Sequence, residues 1–142
     1  MGYRVLKNIE NIVRDEMDKA GYYEMLMSIL TPREIWETTN RWEIPEYFKV
    51  PGWGNTEYRI SPTNEENVTK IFQEFIQSYK DLPTCVYHIQ KKFRNEKRAK
   101  SGLLRGREFI MKDAYSFHSN IEDFEVFYEE VKRVYMNVYN RL

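Results

Sequence analysis

The sequence predicts an α+β fold, an antiparallel β-sheet flanked by helices. Three observations predict it. Stretches with the 3.6-residue period of an amphipathic helix and stretches with the two-residue period of a strand both occur, but they do not alternate as a regular strand–helix–strand repeat, which argues against a doubly wound parallel sheet. Two strand-like stretches flank one glycine-containing loop and read as a long hairpin. The chain has 142 residues, 42% hydrophobic and 31% charged, the size and composition of one ordinary globular domain. A single domain over residues 1–142 is therefore expected.

The elements follow in order. Residues 3–20 read as a helix, because Val5, Leu6, Ile9, Ile12, Val13 and Met17 recur near the i, i+3/i+4, i+7 spacing. Gly21 stands where a helix C-cap would. Residues 22–30 are aromatic and apolar with Glu24 as their only charge, which predicts a buried strand. Thr31-Pro32-Arg33-Glu34 predicts a helix start, with Thr31 as cap and Glu34 closing a capping box; that helix is short and ends near Thr39. Residues 47–50 and 56–61 are strand-like, and the Pro51-Gly52-Trp53-Gly54-Asn55 stretch between them predicts a hairpin.

Residues 64–79 carry the cleanest helical stripe, Val68, Ile71, Phe72, Phe75, Ile76 and Tyr79, ended by Asp81-Leu82-Pro83. Residues 84–96 read as a long strand. Cys85, Tyr87, Ile89 and Phe93 form its apolar face; Val86, His88, Gln90, Lys92, Arg94 and Glu96 form the other. A basic loop, 97–106, leads into a second strand, 107–117. Ser119 with Glu122 predicts a capping box for the last helix, 121–142, whose apolar side includes Phe124, Phe127, Tyr128, Val131, Val134, Tyr135, Val138 and Leu142.

Composition excludes several classes. Cys85 is the only cysteine, so no internal disulfide or cysteine metal cluster is possible; a reducing, cytoplasmic setting is expected, and Cys85 reads as an inert core residue. No apolar run approaches a membrane span of roughly 20 residues, and the first residues lack the apolar core of a signal peptide. His88 and His118 are thirty positions apart in a sequence with no cysteine or acid cluster at ligand spacing; a structural or pocket role is expected of them, with no metal. Twenty-two basic and 22 acidic side chains balance to zero net charge, which as an average speaks against a generic nucleic-acid binder. The average hides a segregation. Between Lys91 and Arg107 eight basic side chains stand against Glu96 alone, so this stretch carries +7 and the remainder −7.

The hairpin can bring chemistry together. Alternation places Arg94 and Glu96 on one face of its first strand, and Arg107, Phe109, Met111, Asp113 and Tyr115 on one face of its second. An arginine suits a phosphate or carboxylate, a Phe ring offers a stacking surface for a base, and a glutamate accepts hydrogen bonds from an exocyclic amine. A nucleotide site without a glycine-rich phosphate loop is one reading; a solvated basic loop and a generic RNA contact are others. Thr63 and Glu65 are also residue types that any helix N-terminus favours.

Phe93-Arg94-Asn95-Glu96, the basic loop and Arg105-Gly106-Arg107-Glu108-Phe109 resemble motif 2 of class II aminoacyl-tRNA synthetases, fRxE, a loop, then R/H-x-x-x-F. Met111-Lys112-Asp113-Ala114-Tyr115-Ser116-Phe117-His118 is similar to the bacterial-type prolyl-tRNA synthetases. Ser61-Pro62-Thr63-Asn64-Glu65-Glu66 resembles their proline-recognising T-x-E element, and Gly2-Tyr3-Arg4-Val5-Leu6-Lys7-Asn8-Ile9-Glu10 their motif 1 helix. The resemblance covers nearly the whole chain; residues 44–57 depart from it, and Ser28 stands where motif 1 usually carries proline.

That resemblance implies a partial class II synthetase catalytic core, with motifs 1 and 2 but no counterpart of motif 3 before Leu142, so activity of this piece alone is expected to be weak or absent. It implies activation of proline with ATP and Mg2+, the metal ligands falling outside this chain, and transfer to the acceptor end of tRNA(Pro), with homodimers in the full-length family. Carried over by position, Arg94 would meet the α-phosphate and the proline carboxylate, Glu96 the adenine amine and Arg105 the γ-phosphate, with Phe109 stacked on adenine. Thr63 and Glu65 would hold the proline ammonium, Phe117 and His118 would line the proline pocket, and Lys97, Arg98 and Lys100 would be the loop residues facing tRNA. Two alternatives remain: another class II specificity such as threonine, and a non-catalytic paralogue that binds RNA or a partner synthetase.

Overall fold

The computed structural model describes residues 1–142. The elements are α1 (Gly2–Lys19), β1 (Tyr23–Glu24), β2 (Leu30–Pro32), α2 (Arg33–Glu37), β3 (Lys49–Pro51), β4 (Glu57–Ile60), α3 (Glu65–Phe75), β5 (Thr84–Phe93), β6 (Glu108–Phe117) and α4 (Ile121–Arg141), with short 3-10 turns at Tyr79–Asp81 and Gly102–Leu104. Two three-stranded sheets form, in the orders β1-β5-β6 and β2-β4-β3. The expected α+β character holds with one change: β1 pairs with β5 in parallel, Tyr23 opposite Val86 and Glu24 opposite Tyr87. The chain divides into two compact units. One comprises Met1–Met25, Ile76–His88 and Ala114–Leu142; the other comprises Leu26–Phe75 and Ile89–Asp113.

In the first unit, α1 and α4 are in contact. Met17, Val134 and Val138 are buried, and Tyr22 packs its ring 5.4 Å from that of Phe127. The expected apolar stripe of α1 is only partly used. Val5 and Ile9 are exposed, whereas Glu10 and Glu16 are buried, because Lys7 pairs with Glu10 and both Lys19 and Arg141 reach Glu16. Gly21 takes a φ of +79°, the left-handed turn glycine allows after a helix. Tyr87 donates to Asp18 Oδ1 at 2.5 Å; burial, reinforced by that bond, pushes its phenol well above the usual tyrosine range. The cap of α4 is Asn120, whose Oδ1 accepts the Asp123 N–H at 2.8 Å, not the expected Ser119, which donates to the Asp123 carboxylate instead.

The second unit is built on β2, β4 and β3, paired antiparallel with Thr31 opposite Arg59 and Arg59 opposite Lys49. The β3–β4 hairpin is where expected. Gly52 is required in its turn, since a Cβ there would lie 2.2 Å from Thr56 Oγ1 and 2.5 Å from the Tyr58 ring. Trp36, Trp42 and Val68 are buried, and Trp36 meets Tyr47 edge-on at 5.5 Å. Thr31 does not cap α2. It is a fully buried residue of β2 whose hydroxyl bonds Ser61 Oγ at 2.8 Å and accepts Asn67 Nδ2 at 2.7 Å.

Two further expectations are corrected. Residues 22–30 are not one buried strand. Beyond the exposed β1, the Met27 backbone is satisfied by a side chain: its N–H donates to Gln90 Oε1 at 3.2 Å and its carbonyl accepts Gln90 Nε2 at 2.6 Å. The helix expected over 64–79 stops at Phe75, where the chain passes from one compact unit to the other. Tyr79 then starts a separate turn, with the Asp81 carboxylate accepting the N–H groups of Gln77 and Ser78.

Candidate active site

The second unit holds most of the residues singled out from the sequence. β5 ends at Phe93, so Arg94 and Glu96 lie just past the strand. The Arg94 N–H donates to the Arg107 carbonyl at 3.0 Å and the Asn95 N–H to the Glu46 carbonyl at 2.6 Å, which fixes the backbone through this stretch. The Arg94 guanidinium lies 5.4 Å from the centre of the Phe109 ring, a cation–π arrangement, and its Nη2 reaches the Pro62 carbonyl at 3.4 Å. Glu96 accepts both Nε and Nη2 of Arg105 on its Oε2, at 3.0 and 2.8 Å.

Arg94, Glu96, Arg105 and Phe109 thereby meet around one cavity of about 310 Å³, closed by Leu103, Leu104, Gly106 and Ile110. A second cavity of about 650 Å³ shares Glu96 and Arg105 and is lined by Lys97, Arg98, Lys100 and Glu46. The loop is shaped by a bridge between Lys100 and Arg105 and by consecutive positive φ at Ser101 and Gly102, +59° and +58°.

Thr63 and Glu65 come together at the start of α3, the Thr63 hydroxyl donating to Glu65 Oε2. Thr63 is buried and Glu65 exposed. Arg41 Nη1 lies 3.8 Å from Glu65 Oε2 and bonds Glu66 Oε1 at 2.8 Å. The cavity Glu65 lines, about 400 Å³, runs between α2 and α3 and includes Glu66, Thr38 and Gln73; Arg94 is not among its walls. Phe117 and His118 belong to the first unit. There the His118 ring packs 5.6 Å from Phe124 and 4.9 Å from Phe127, and both its nitrogens are buried without a hydrogen-bond partner.

The sequence assigned Lys92 and His88 to the more polar face of their strand. Both are buried, each 1% exposed. Lys92 Nζ lies 3.1 Å from Asp113 Oδ2 and donates to Asn64 Oδ1. Burial pushes the Lys92 ammonium below the usual lysine range, and Asp113 opposes that shift. Arg59 is likewise fully buried. It donates to the Ile44 carbonyl at 3.0 Å and stacks 4.8 Å from Trp42 and 5.2 Å from Tyr47. No group of three or more His, Cys, Asp or Glu side chains is arranged to hold a metal ion. No helix is long and apolar enough to cross a membrane.

Comparison with known proteins gives the chain its family. The proline–tRNA ligase of Caldicellulosiruptor saccharolyticus is 48% identical over 143 aligned residues, covering 99% of this chain and 25% of that protein. That of Aquifex aeolicus is 46% identical over 142 residues with the same coverage, 99% and 25%. The chain thus spans about a quarter of the length of these curated relatives. Among solved structures, Giardia lamblia prolyl-tRNA synthetase in complex with prolyl-adenylate superposes with a TM-score of 0.85 over 96% of this chain and 29% of its own, at 22% identity. The Cryptosporidium parvum enzyme complexed with L-proline and AMP gives 0.86 over 99% and 28%, at 20% identity; both likenesses speak to the fold. The model of the tRNA synthetase class II core domain (G, H, P, S and T) matches residues 48–142, more than half of the sequence, and the chain belongs to that family.

Proposed function

We propose that this chain is the motif 1–motif 2 part of a proline–tRNA ligase, and that its second unit binds ATP and proline for adenylate formation. One observation carries the reading: Arg94, fixed at the end of β5, shares a cavity with Phe109, Glu96 and Arg105. The high identity to proline–tRNA ligases across the chain supports proline over threonine.

The chemistry asks little of the protein beyond placement. A proline carboxylate oxygen attacks the α-phosphorus of ATP; the new O–P bond forms as the bond to the β-phosphate oxygen breaks, and pyrophosphate leaves. The carboxylate is already the nucleophile, so no general base is required, and catalysis is orientation plus stabilisation of charge at phosphorus. Arg94 serves both reacting groups, the carboxylate and the α-phosphate. Phe109 stacks on adenine, Glu96 accepts from its exocyclic amine, and Arg105 leaves Glu96 to take the γ-phosphate. Thr63 and Glu65 hold the proline ammonium. ATP enters as its magnesium complex, and no step is assigned to a metal held by this chain. The terminal ribose hydroxyl of tRNA(Pro) then attacks the prolyl carbonyl carbon and AMP departs, with Lys97, Arg98 and Lys100 at the acceptor end. The setting is cytoplasmic and the assembled enzyme a homodimer.

The test is proline-dependent ATP–pyrophosphate exchange by the full-length protein that carries this chain, with threonine as the competing amino acid. Exchange with proline is expected, and Arg94→Ala is expected to lower kcat/KM on the order of 10²–10³-fold. Exchange with threonine in preference to proline, or none with either, overturns the reading. Retained tRNA binding with no ATP binding, unaffected by Arg94→Ala, would instead identify an RNA-binding paralogue.

A further inference from the structure

We propose that Lys92 is a positioning residue for amino-acid activation: through Asn64 it holds the Thr63–Glu65 element in a set register against Arg94. The role rests on the ATP–proline reading above. Lys92 is the penultimate residue of β5 and Arg94 follows its end. Each grips the same short segment at a different point. Arg94 Nη2 takes the Pro62 carbonyl at 3.4 Å, and Lys92 Nζ takes the Asn64 side chain. Two side chains two residues apart therefore hold a segment two residues apart, 94 to 62 and 92 to 64, in the manner of an antiparallel ladder made by side chains. Thr63 lies between the gripped positions and Glu65 immediately follows them. Asn64 also begins α3, its carbonyl accepting the Val68 N–H at 2.9 Å, so the anchor passes into the helix that carries Glu65.

Lys92 is too deeply buried to touch substrate, at 1% exposure, which separates positioning from catalysis. Its charge pair with Asp113 is an expensive way to fill space, since apolar residues of similar volume are often at least as stabilising as a buried ion pair. What a pair of apolar residues would lack is the bond to Asn64. The field at Lys92 carries the same signature: Glu65 favours its charged form and Arg94 opposes it, and these are the two charges assigned to the two ends of proline.

The experiment uses the full-length protein with Lys92→Met, Asn64→Ala and the double variant Lys92→Met/Asp113→Leu, which replaces the buried pair by apolar residues and keeps the core filled. Pyrophosphate exchange gives KM for proline and for ATP separately. A misplacement near 1 Å is enough to cost about 10²-fold in a reaction of this kind, so KM for proline is expected to rise by about tenfold or more while KM for ATP stays within about twofold. Amide hydrogen exchange at residues 63–66 is expected to quicken, with β3 and β4 unchanged. Adding Asn64→Ala to Lys92→Met should change little further, because both remove the same hydrogen bond. If Lys92→Met does not fold, the double variant decides. A double variant with the original proline KM overturns the inference, as does a parallel rise in KM for proline and ATP, the mark of a general lesion. An unsubstituted protein without proline-dependent exchange overturns the functional reading instead.

Discussion

Arg105 grips a single oxygen of Glu96 with two nitrogens, Nε at 3.0 Å and Nη2 at 2.8 Å. The two residues proposed for opposite ends of ATP thus hold each other directly. Both are accessible, their side chains 56% and 23% exposed, so the pair contributes less than about 1 kcal/mol to folding. Arg105→Ala is accordingly expected to leave urea denaturation nearly unchanged. A charge-assisted hydrogen bond to phosphate of about 1.5–3 kcal/mol corresponds to a loss of about tenfold or more in ATP affinity, which titration calorimetry would read. A large loss of stability with unchanged ATP affinity would reverse the assignment.

Lys97, Arg98 and Lys100 line a cavity together with that pair and Glu46. Replacing all three by alanine is expected to weaken tRNA binding and to flatten its dependence on salt, by about 0.7–0.9 in log–log slope for each phosphate that is no longer neutralised. Filter binding at several salt concentrations checks this, and the exchange reaction, which needs no tRNA, should proceed as before.

Thr31 shows what a polar residue does inside a small core. Its hydroxyl joins Ser61 and Asn67 at a fully buried position. Thr31→Val keeps the shape and removes the partner of two buried groups, so a destabilisation of about 1–3 kcal/mol is expected in chemical denaturation. Thr31→Ser, which keeps the hydroxyl, should recover part of it.

The carboxylates of Asp15 and Glu16 give the first unit a pH dependence. Hydrogen bonds hold both below their ordinary values of 3.8 and 4.5, chiefly from Lys19 to Asp15 and chiefly from Arg141 to Glu16. Because the folded state lowers these values, the stabilisation is fully present above about 4.5 and is lost as pH falls through the depressed range. Arg141→Ala should flatten the acid side of a melting-temperature profile between pH 5 and pH 2, about the range where such groups titrate, and leave the neutral side nearly unchanged.

Much of the architecture was legible in the residues. Periodicity located α1, the β3–β4 hairpin, β5, β6 and α4, because each carries its signal within its own length. It failed where partners far along the chain decide. Nothing local in residues 22–30 announces that Gln90 will satisfy the Met27 backbone, so an apolar run read as a strand. Thr31 has every local mark of a cap, yet Ser61 and Asn67, about thirty or more positions away, claim its hydroxyl. The stripe through Phe75 and Tyr79 continues past the true end of α3, since periodicity does not register where a chain passes between compact units.

The candidate site divides in the same way. Alternation along a hairpin pointed to Arg94, Glu96 and Phe109 with Arg107 as the second arginine; Arg105, which lines the cavity with the first three, came only with the family resemblance. Lys92 escaped because a lysine at an alternate position reads as solvent-facing. Only the presence of Asp113 and Asn64 across the fold makes its burial tolerable.

The contact between Gln90 and Met27 has a consequence for what position 90 can be. A primary amide offers the same donor and acceptor as a peptide group, so Gln90 acts as a one-residue imitation of a neighbouring strand, answering Met27 on both its N–H and its carbonyl. Glutamate has the same length and nearly the same outline, but an ionised carboxylate has nothing to donate. It would accept from the Met27 N–H and set a negative charge against the Met27 carbonyl. The position is specified by the polarity of a bond pair, a demand that neither size nor hydropathy expresses and that among the common amino acids of this reach glutamine alone meets.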